Sequence, residues 1–324
     1  MTTKASVFLE RIKDKNIAFI GAGRTHRDLI RIFSEKGINI TVYDKRTKEE
    51  LGDVYEEFTK RGIPMYLGPK YLLKLGKEDI IFRTPKLSYN TPELKLAHRA
   101  GQIITSETEV FFDLCPCKTI GVTGSDGKKV TSKLIYKMLE VAGNKVHLGG
   151  TVGDVLLTKI EEIEPTDYVV ASLDAPQLVS MRTSPDVAVI TDISQNFTVP
   201  HMTFEEYVEA KKNIFIHQGG FSTTVLNSDN PITCKFANIV RGIPTYFSKQ
   251  AVVQRGAWMD ANGNIWYSDN DSQTLIMNEK DINPKGIALR DYYLAAFSAL
   301  WGIVDKKYMV QIAKEFVTTE NEIK

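Results

Sequence analysis

At 324 residues, 43% of them hydrophobic and 25% charged, the chain has the composition of a folded protein and is too long for one typical domain. Its 41 basic and 40 acidic residues leave a formal net charge of +1, which excludes a general field drawing it to nucleic acid or to an anionic membrane, so any anion site has to be local. The N-terminus is polar and no run approaches the ~18 apolar residues of a membrane span, so no membrane span and a cytoplasmic location are expected.

Asn16 to Ile20 is an apolar run leading into Gly21-Ala22-Gly23 and then a helical stretch from Asp28 to Lys36 that stops at Gly37, which reads as strand, turn and helix. A second apolar strand, Ile38 to Tyr43, ends at Asp44, and the alternation continues through Asp79 to Phe82 and Glu93 to Ala100. Asp113 to Lys118 reads as a linker. Its Cys115 and Cys117, with Cys234 the only other cysteine, lack the second pair that structural zinc needs, which points to idle or buried thiols in a reducing cytosol.

The pattern then restarts with strand Thr119 to Val122, a glycine-rich loop and a helix from about Val130 to Val141. Later strands are expected at Tyr168 to Ala171, Val187 to Thr191 and Ser222 to Leu226, with a helix at Phe204 to Ile214. Asp260-Ala261-Asn262-Gly263-Asn264, between aromatic alternating runs of Phe247 to Met277, predicts a β-hairpin. The fold class is therefore α/β: a Rossmann-like, doubly wound domain over residues 1–113, then a P-loop-type domain over residues 114–324.

Two loops carry candidate chemistry. Gly21-Ala22-Gly23 after a strand, with Asp44 some twenty residues on, fits the start of a dinucleotide fingerprint, where glycine lets the backbone approach a phosphate at a helix start. The next glycine position holds His26, whose side chain would crowd the helix against the strand, leaving open a different nucleotide ligand or a plain turn. Gly121-Val122-Thr123-Gly124-Ser125-Asp126-Gly127-Lys128 has strand, glycines, lysine and helix in the order a phosphate cradle requires, with Lys128 placed for the β and γ phosphates. The hydroxyl that would bind Mg²⁺ is replaced by Lys129, a cation; the plain alternative is a glycine-rich turn with exposed lysines.

The segments beyond this loop resemble one family. Gly149-Gly150-Thr151-Val152-Gly153 is similar to the G-G-N-I-G segment of the Mur ligases of peptidoglycan synthesis, and Pro185 to Ile193 to the strand before their N-H-L-D loop. His201 to Tyr207, Ala210 to Ile214 and Val225-Leu226-Asn227-Ser228-Asp229-Asn230 stand at family spacing. In the first domain, Asp44-Lys45-Arg46, Arg83-Thr84-Pro85 and Ser106 to Phe111 resemble the uridine-binding domain of the D-glutamate-adding branch. The resemblance implies a UDP-muramyl-type ligand on Gly21, Ala22, Gly23, Arg24, Asp44, Arg46, Thr84 and Pro85, and ATP on Gly124, Ser125, Asp126, Gly127, Lys128, Lys129, Asn227 and Asp229. Lys128 and Lys211 take the catalytic positions, Lys211 standing where the family carries a lysine carbamate.

Departures from the family fall where its metal chemistry lies. Ser172 stands for a metal-binding glutamate, ahead of Leu173-Asp174-Ala175-Pro176-Gln177-Leu178, and Asn196-Phe197-Thr198-Val199 stands for N-H-L-D. Gly286 to Tyr292 lacks the histidine and asparagines of a nucleotide-facing segment, and the sequence ends where the third domain of the family would begin. No metal site is expected, and Mg²⁺ dependence is disfavoured although Asp174 or Asp192 offers a carboxylate. Three functions are compatible with these residues: a degenerate relative binding a UDP-muramyl ligand or a protein partner, an active amide ligase completed by a domain in trans, and, least supported, an NAD(P)-dependent oxidoreductase using Gly21 and Gly23.

Overall fold

A computed structural model describes residues 3–196, 199, 202–283 and 290–318. The chain divides into two compact units, Met1–Pro116 with Val155–Ile163, and Cys117–Asp154 with Glu164–Lys324.

The first unit opens with α1 (Lys4–Ile12), capped by the Thr3 hydroxyl, which accepts from Ser6 N. It continues through β1 (Asn16–Ile20), α2 (Arg24–Glu35), β2 (Asn39–Asp44), α3 (Lys48–Leu51), α4 (Asp53–Lys60), β3 (Met65–Leu67), β4 (Ile80–Arg83), α5 (Pro92–Arg99), β5 (Ile103–Thr105) and α6 (Glu107–Leu114). The strands form a parallel sheet of order β3-β2-β1-β4-β5. All four residues of β4 are buried, the uninterrupted burial that a parallel sheet covered on both faces imposes. Helix α2 begins at Arg24 rather than Asp28: its buried stripe is His26, Leu29, Ile30 and Phe33, and the first member is a polar residue that apolar periodicity does not register.

His26 does not crowd the helix start. Its ring is buried, meets the edge of Phe19 at 5.3 Å between centroids, and turns Nδ1 to the Gly21 carbonyl at 2.9 Å. Burial pushes its pKa down to about 4, so the neutral imidazole donates to that carbonyl and fills the space a glycine would leave.

The second unit contains β6 (Lys118–Thr123), α7 (Lys128–Val141), β7 (Val146–Gly150), β8 (Tyr168–Ser172), α8 (Ala175–Leu178), β9 (Val187–Ile190), α9 (Phe204–Lys212), β10 (Thr223–Asn227) and α10 (Pro231–Phe236). It ends with β11 (Ile243–Ser248), β12 (Arg255–Met259), β13 (Asn264–Asp269), β14 (Ser272–Asn278), α11 (Arg290–Leu300) and α12 (Lys306–Glu315). One sheet of order β14-β13-β12-β11-β10-β9-β6-β8-β7 runs through it, parallel from β7 to β12, with β13 and β14 added antiparallel. The expected hairpin is β12–β13, and Asp260 shapes its turn by accepting from Asn262 N and Asn264 N at 2.8 and 2.9 Å. Helix α7 starts at Lys128, earlier than apolar periodicity alone places it, and packs Val130, Leu134, Ile135, Met138 and Leu139 into the core beside α11. Cys115 and Cys117 are half-buried and Cys234 is exposed. Among the described residues no helix is long and apolar enough to cross a membrane.

The Val155–Ile163 segment is fixed within the first unit by Leu156 and Leu157, both buried, and by Glu107, whose Oε1 accepts from Leu157 N at 3.0 Å. Burial raises the pKa of Glu107, so the folded state holds a proton that the unfolded chain releases, and stability falls as pH rises through and above the ordinary carboxyl range. Glu107→Gln keeps the acceptor and removes the charge. It is expected to raise Tm at pH 8 by about 4 °C, the shift that roughly 1 kcal/mol produces in a unit of this size, and to leave Tm at pH 3.5 to 4 nearly unchanged. Thermal denaturation at the two pH values checks this.

Candidate functional site

In the first unit the strand order reverses at β1, and ligands of open α/β sheets bind outside the carboxyl ends of strands at such a point. A cavity of about 480 Å³ lies there, lined by Gly21, Gly23, Arg24, Asp44, Arg46 and Thr84, with Lys45, Lys86, Tyr71 and Leu87 completing its wall. Ala22 is buried behind it and Pro85 is half-buried outside its lining. Asp44 is almost fully committed: Oδ2 accepts from Ala22 N and Arg46 Nη2, each at 2.7 Å, and Oδ1 from Arg46 N and Nε, each at 2.9 Å. Burial alone would raise its pKa, but Arg46 and these amides outweigh it and hold the carboxyl below its usual range. The charge of Asp44 thus holds Arg46 and the loop in place.

In the second unit, β6 lies between β8 and β9, and Gly124, Ser125, Asp126 and Gly127 leave its carboxyl end for α7. The glycines answer to packing: a Cβ on Gly124 would stand 1.8 Å from Thr191 Oγ1, and one on Gly127, at φ +76°, 1.9 Å from the Tyr292 ring. Ser125 N donates to Asp192 O at 3.0 Å and Asp126 N to Asp192 Oδ1 at 2.8 Å. Ser125 Oγ meets Tyr207 OH at 2.9 Å, and Lys128 Nζ pairs with Asp174 Oδ1 at 2.9 Å. Lys129 is half-buried beside Lys128 at the start of the helix.

Lys211, from α9, has no exposed surface and donates to Thr123 Oγ1 and Gly124 O, each at 2.9 Å, with the Tyr207 ring 4.6 Å away. Burial, reinforced by the charge of Lys128, lowers its pKa to about 7. Burial acts the other way on Asp192 and raises its pKa. Asn227 and Asp229 stand at the end of β10, where Asn227 Nδ2 donates to Thr191 O at 2.9 Å and Asp229 accepts from Ser248 Oγ and Lys249 N at 2.5 and 2.7 Å. Those polar atoms brace neighbouring strand ends.

The loop thus gathers Lys128, Lys129 and Lys211, together with Tyr207, Thr191 and Tyr292, which the sequence placed in family-like segments without marking them as site residues. Ser172, at the end of β8, is buried, and its hydroxyl meets Thr151 Oγ1 at 2.6 Å. Phe197, Thr198 and Gly286 to Leu289 lie outside the described residues, whereas Asn196 and Val199 are within them.

A glycine loop at the switch point of a parallel sheet defines a doubly wound α/β protein. Residues 122–285 match the Mur ligase middle domain. Over 323 residues the chain is 42% identical to the UDP-N-acetylmuramoylalanine--D-glutamate ligase of Acetivibrio thermocellus, covering 100% of this chain and 69% of that one. The protein of the same name from Clostridium acetobutylicum is 40% identical over 316 residues, with 97% and 68% of the two chains covered. The fold is also that of a solved UDP-N-acetylmuramate:L-alanyl-gamma-D-glutamyl-meso-diaminopimelate ligase from Neisseria meningitides, at a TM-score of 0.59, 15% identity and coverage of 94% and 99%. The chain belongs to the Mur ligase family.

Lys211 yields a pH test of the loop's foundation. With its pKa at about 7 in the folded chain against 10.5 as the ordinary value, the unfolded chain binds more protons between those limits, so stability rises with pH across that window. Urea denaturation from pH 7 to pH 10 is expected to show an increase of a few kcal/mol at most, on a scale of about 1.4 kcal/mol per pH unit per proton. Lys211→Met should abolish that slope; an unchanged slope in the variant would assign the pH dependence elsewhere.

Proposed function

We propose that this member of the Mur ligase family binds a UDP-muramyl-type ligand in its first domain, residues 1–113, and acts through that binding or a protein partner. Its second domain, residues 114–324, carries an ATP-type loop that does not complete amide ligation by itself. The observation behind the first part is the cavity at the carboxyl ends of β1, β2 and β4. Arg24, Lys45, Arg46 and Lys86 line it with cationic side chains, and the start of α2 adds the favourable end of a helix dipole, a combination suited to a diphosphate. Tyr71 offers an aromatic face for a base.

The family's reaction uses ATP to phosphorylate a substrate carboxylate, after which an amine attacks the acyl phosphate and expels phosphate. Here Lys128 is the side chain placed to hold the β and γ phosphates, once it leaves Asp174. The donor set among the described residues does not suit Mg²⁺: Lys129 brings a cation where a hydroxyl is needed, and the Ser172 hydroxyl is bonded to Thr151. Among the described residues no three His, Cys, Asp or Glu side chains are grouped to hold a metal.

Calorimetry of the chain with UDP-N-acetylmuramoyl-L-alanine should show binding that Arg46→Ala weakens about tenfold, the equivalent of roughly 1.4 kcal/mol. Tighter binding of NAD(H) would replace the assignment with the oxidoreductase one.

A second measurement concerns turnover. Each missing group that stabilises the transition state commonly costs about 3–4 kcal/mol, so the chain mixed with ATP, D-glutamate and this substrate is expected to release phosphate far below ~1 s⁻¹. Ordinary turnover by the chain alone would show an active ligase, and turnover only after addition of a separately expressed third domain would show a ligase completed in trans.

A further inference from the structure

The carboxylates of Asp174 and Asp192 stand after β8 and β9, the strands that flank β6 on either side, and both turn towards the glycine loop. Asp192 takes the amides of Ser125 and Asp126 through its backbone oxygen and its Oδ1, and Asp174 takes Lys128. A polyphosphate on this loop would call on the same donors: loop amides for its bridging and terminal oxygens, and the lysine for the β and γ groups. We propose that Asp174 and Asp192 determine the nucleotide selectivity of the second unit by occupying those donors from within the chain, so that added phosphates do not tighten binding. The proposal rests on the reading of this loop as a nucleotide site.

Two further observations tie release of the Asp126 amide and of Lys128 to displacement of a carboxylate; the Ser125 amide is held by the backbone oxygen of Asp192. The loop has little room to reshape, with Gly124 against Thr191 Oγ1 and Gly127 beneath the Tyr292 ring. Its carbonyl and hydroxyl are also tied, Asp126 O accepting from Thr191 Oγ1 at 2.5 Å and Ser125 Oγ meeting Tyr207 OH. The charges facing the site balance: Lys128, Lys129 and Lys211 stand with Asp126, Asp174 and Asp192, and the Lys211 ammonium is weakened by burial. A triphosphate therefore meets carboxylates at contact distance without an excess of positive charge to offset them. A nucleoside monophosphate, with one phosphate, asks less of the occupied donors.

The test is calorimetric titration of the full chain with AMP, ADP and ATP, without metal, at one ionic strength. The unsubstituted chain is expected to bind ATP no more than about threefold tighter than AMP, and the double variant Asp174→Asn, Asp192→Asn to bind ATP at least about tenfold tighter than the unsubstituted chain, with AMP changed less than about threefold. Asparagine removes the charge that holds Lys128 and repels a triphosphate and weakens residue 192 as an acceptor of the Asp126 amide, and unchanged melting curves confirm the fold. Adding Lys128→Ala to the double variant should remove the gain. Asp269→Asn removes a carboxylate that pairs with Arg255 in the β12–β13 hairpin, and controls for net charge. It should shift ATP affinity by less than about threefold. An unsubstituted chain preferring ATP over AMP tenfold, or a double variant with unaltered ATP affinity, overturns the proposal and leaves the loop a nucleotide site. Absence of binding by any nucleotide to any form overturns both.

Discussion

A lysine ammonium with no exposed surface holds the loop of the second unit to its sheet. Removing an ammonium from water is costly, and the fixed acceptors of Lys211, the Thr123 hydroxyl at the end of β6 and the Gly124 carbonyl at the start of the loop, offset only part of that cost, which is why its pKa falls to about 7. Because Lys211 comes from α9, the position of that helix sets the position of the loop. Tyr207, one helical turn earlier, brings its hydroxyl to Ser125 Oγ while its ring lies beside the ammonium. The loop's shape is thus specified from a distant helix as much as by its own glycines.

The opposite ends of the strands are pinned with similar economy. The Asp186 carboxylate accepts from Thr119 N and Oγ1 at 2.8 and 3.0 Å, joining the starts of β6 and β9. Gln218, 2% exposed, donates to Pro185 O and Thr223 O and accepts from Thr224 Oγ1, joining β9 to β10. Thr119 and Gln218 are buried with partners, which is the condition for polar atoms to specify a register without weakening it, while Asp186 itself is exposed. With the starts aligned, the carboxyl ends of β6, β8 and β9 bring Gly124, Asp174 and Asp192 to one edge.

Apolar runs made β1, β2, β6 and β9 legible in the sequence, and glycine, lysine and strand order marked both loops. What the pattern could not carry was the use of polar atoms. Asp44 and Arg46 are two residues apart and read as ligand contacts, yet their first commitment is to each other and to Ala22 N. His26 broke a glycine pattern and became a buried part of the helix stripe because its ring could reach Gly21 O. Tyr71 reaches the cavity from a short turn, Tyr71–Lys74, that has no periodicity to announce it, and Val155–Ile163 packs with the first unit on the strength of two leucines and one amide. Tyr292 covers Gly127 from far along the chain, a pairing that only tertiary structure creates.

The two units use one device with opposite electrostatic results. In each, a carboxylate at or just beyond the end of a neighbouring strand accepts an amide of the glycine loop: Asp44 takes Ala22 N at 2.7 Å, and Asp192 takes Asp126 N at 2.8 Å. Asp44 has its countercharge beside it, because Arg46 binds both carboxylate oxygens while lining the cavity, and Arg24, Lys45 and Lys86 line the same cavity. Asp192 lacks such a pairing. The nearby ammonium of Lys211 is spent on Thr123 and Gly124 and lowered by burial, and Lys128 is turned to Asp174. A strand-end carboxylate therefore leaves a cationic edge in the first unit and an electrically balanced one in the second, so the attraction each offers a phosphate depends on where the countercharge sits rather than on the loop sequence.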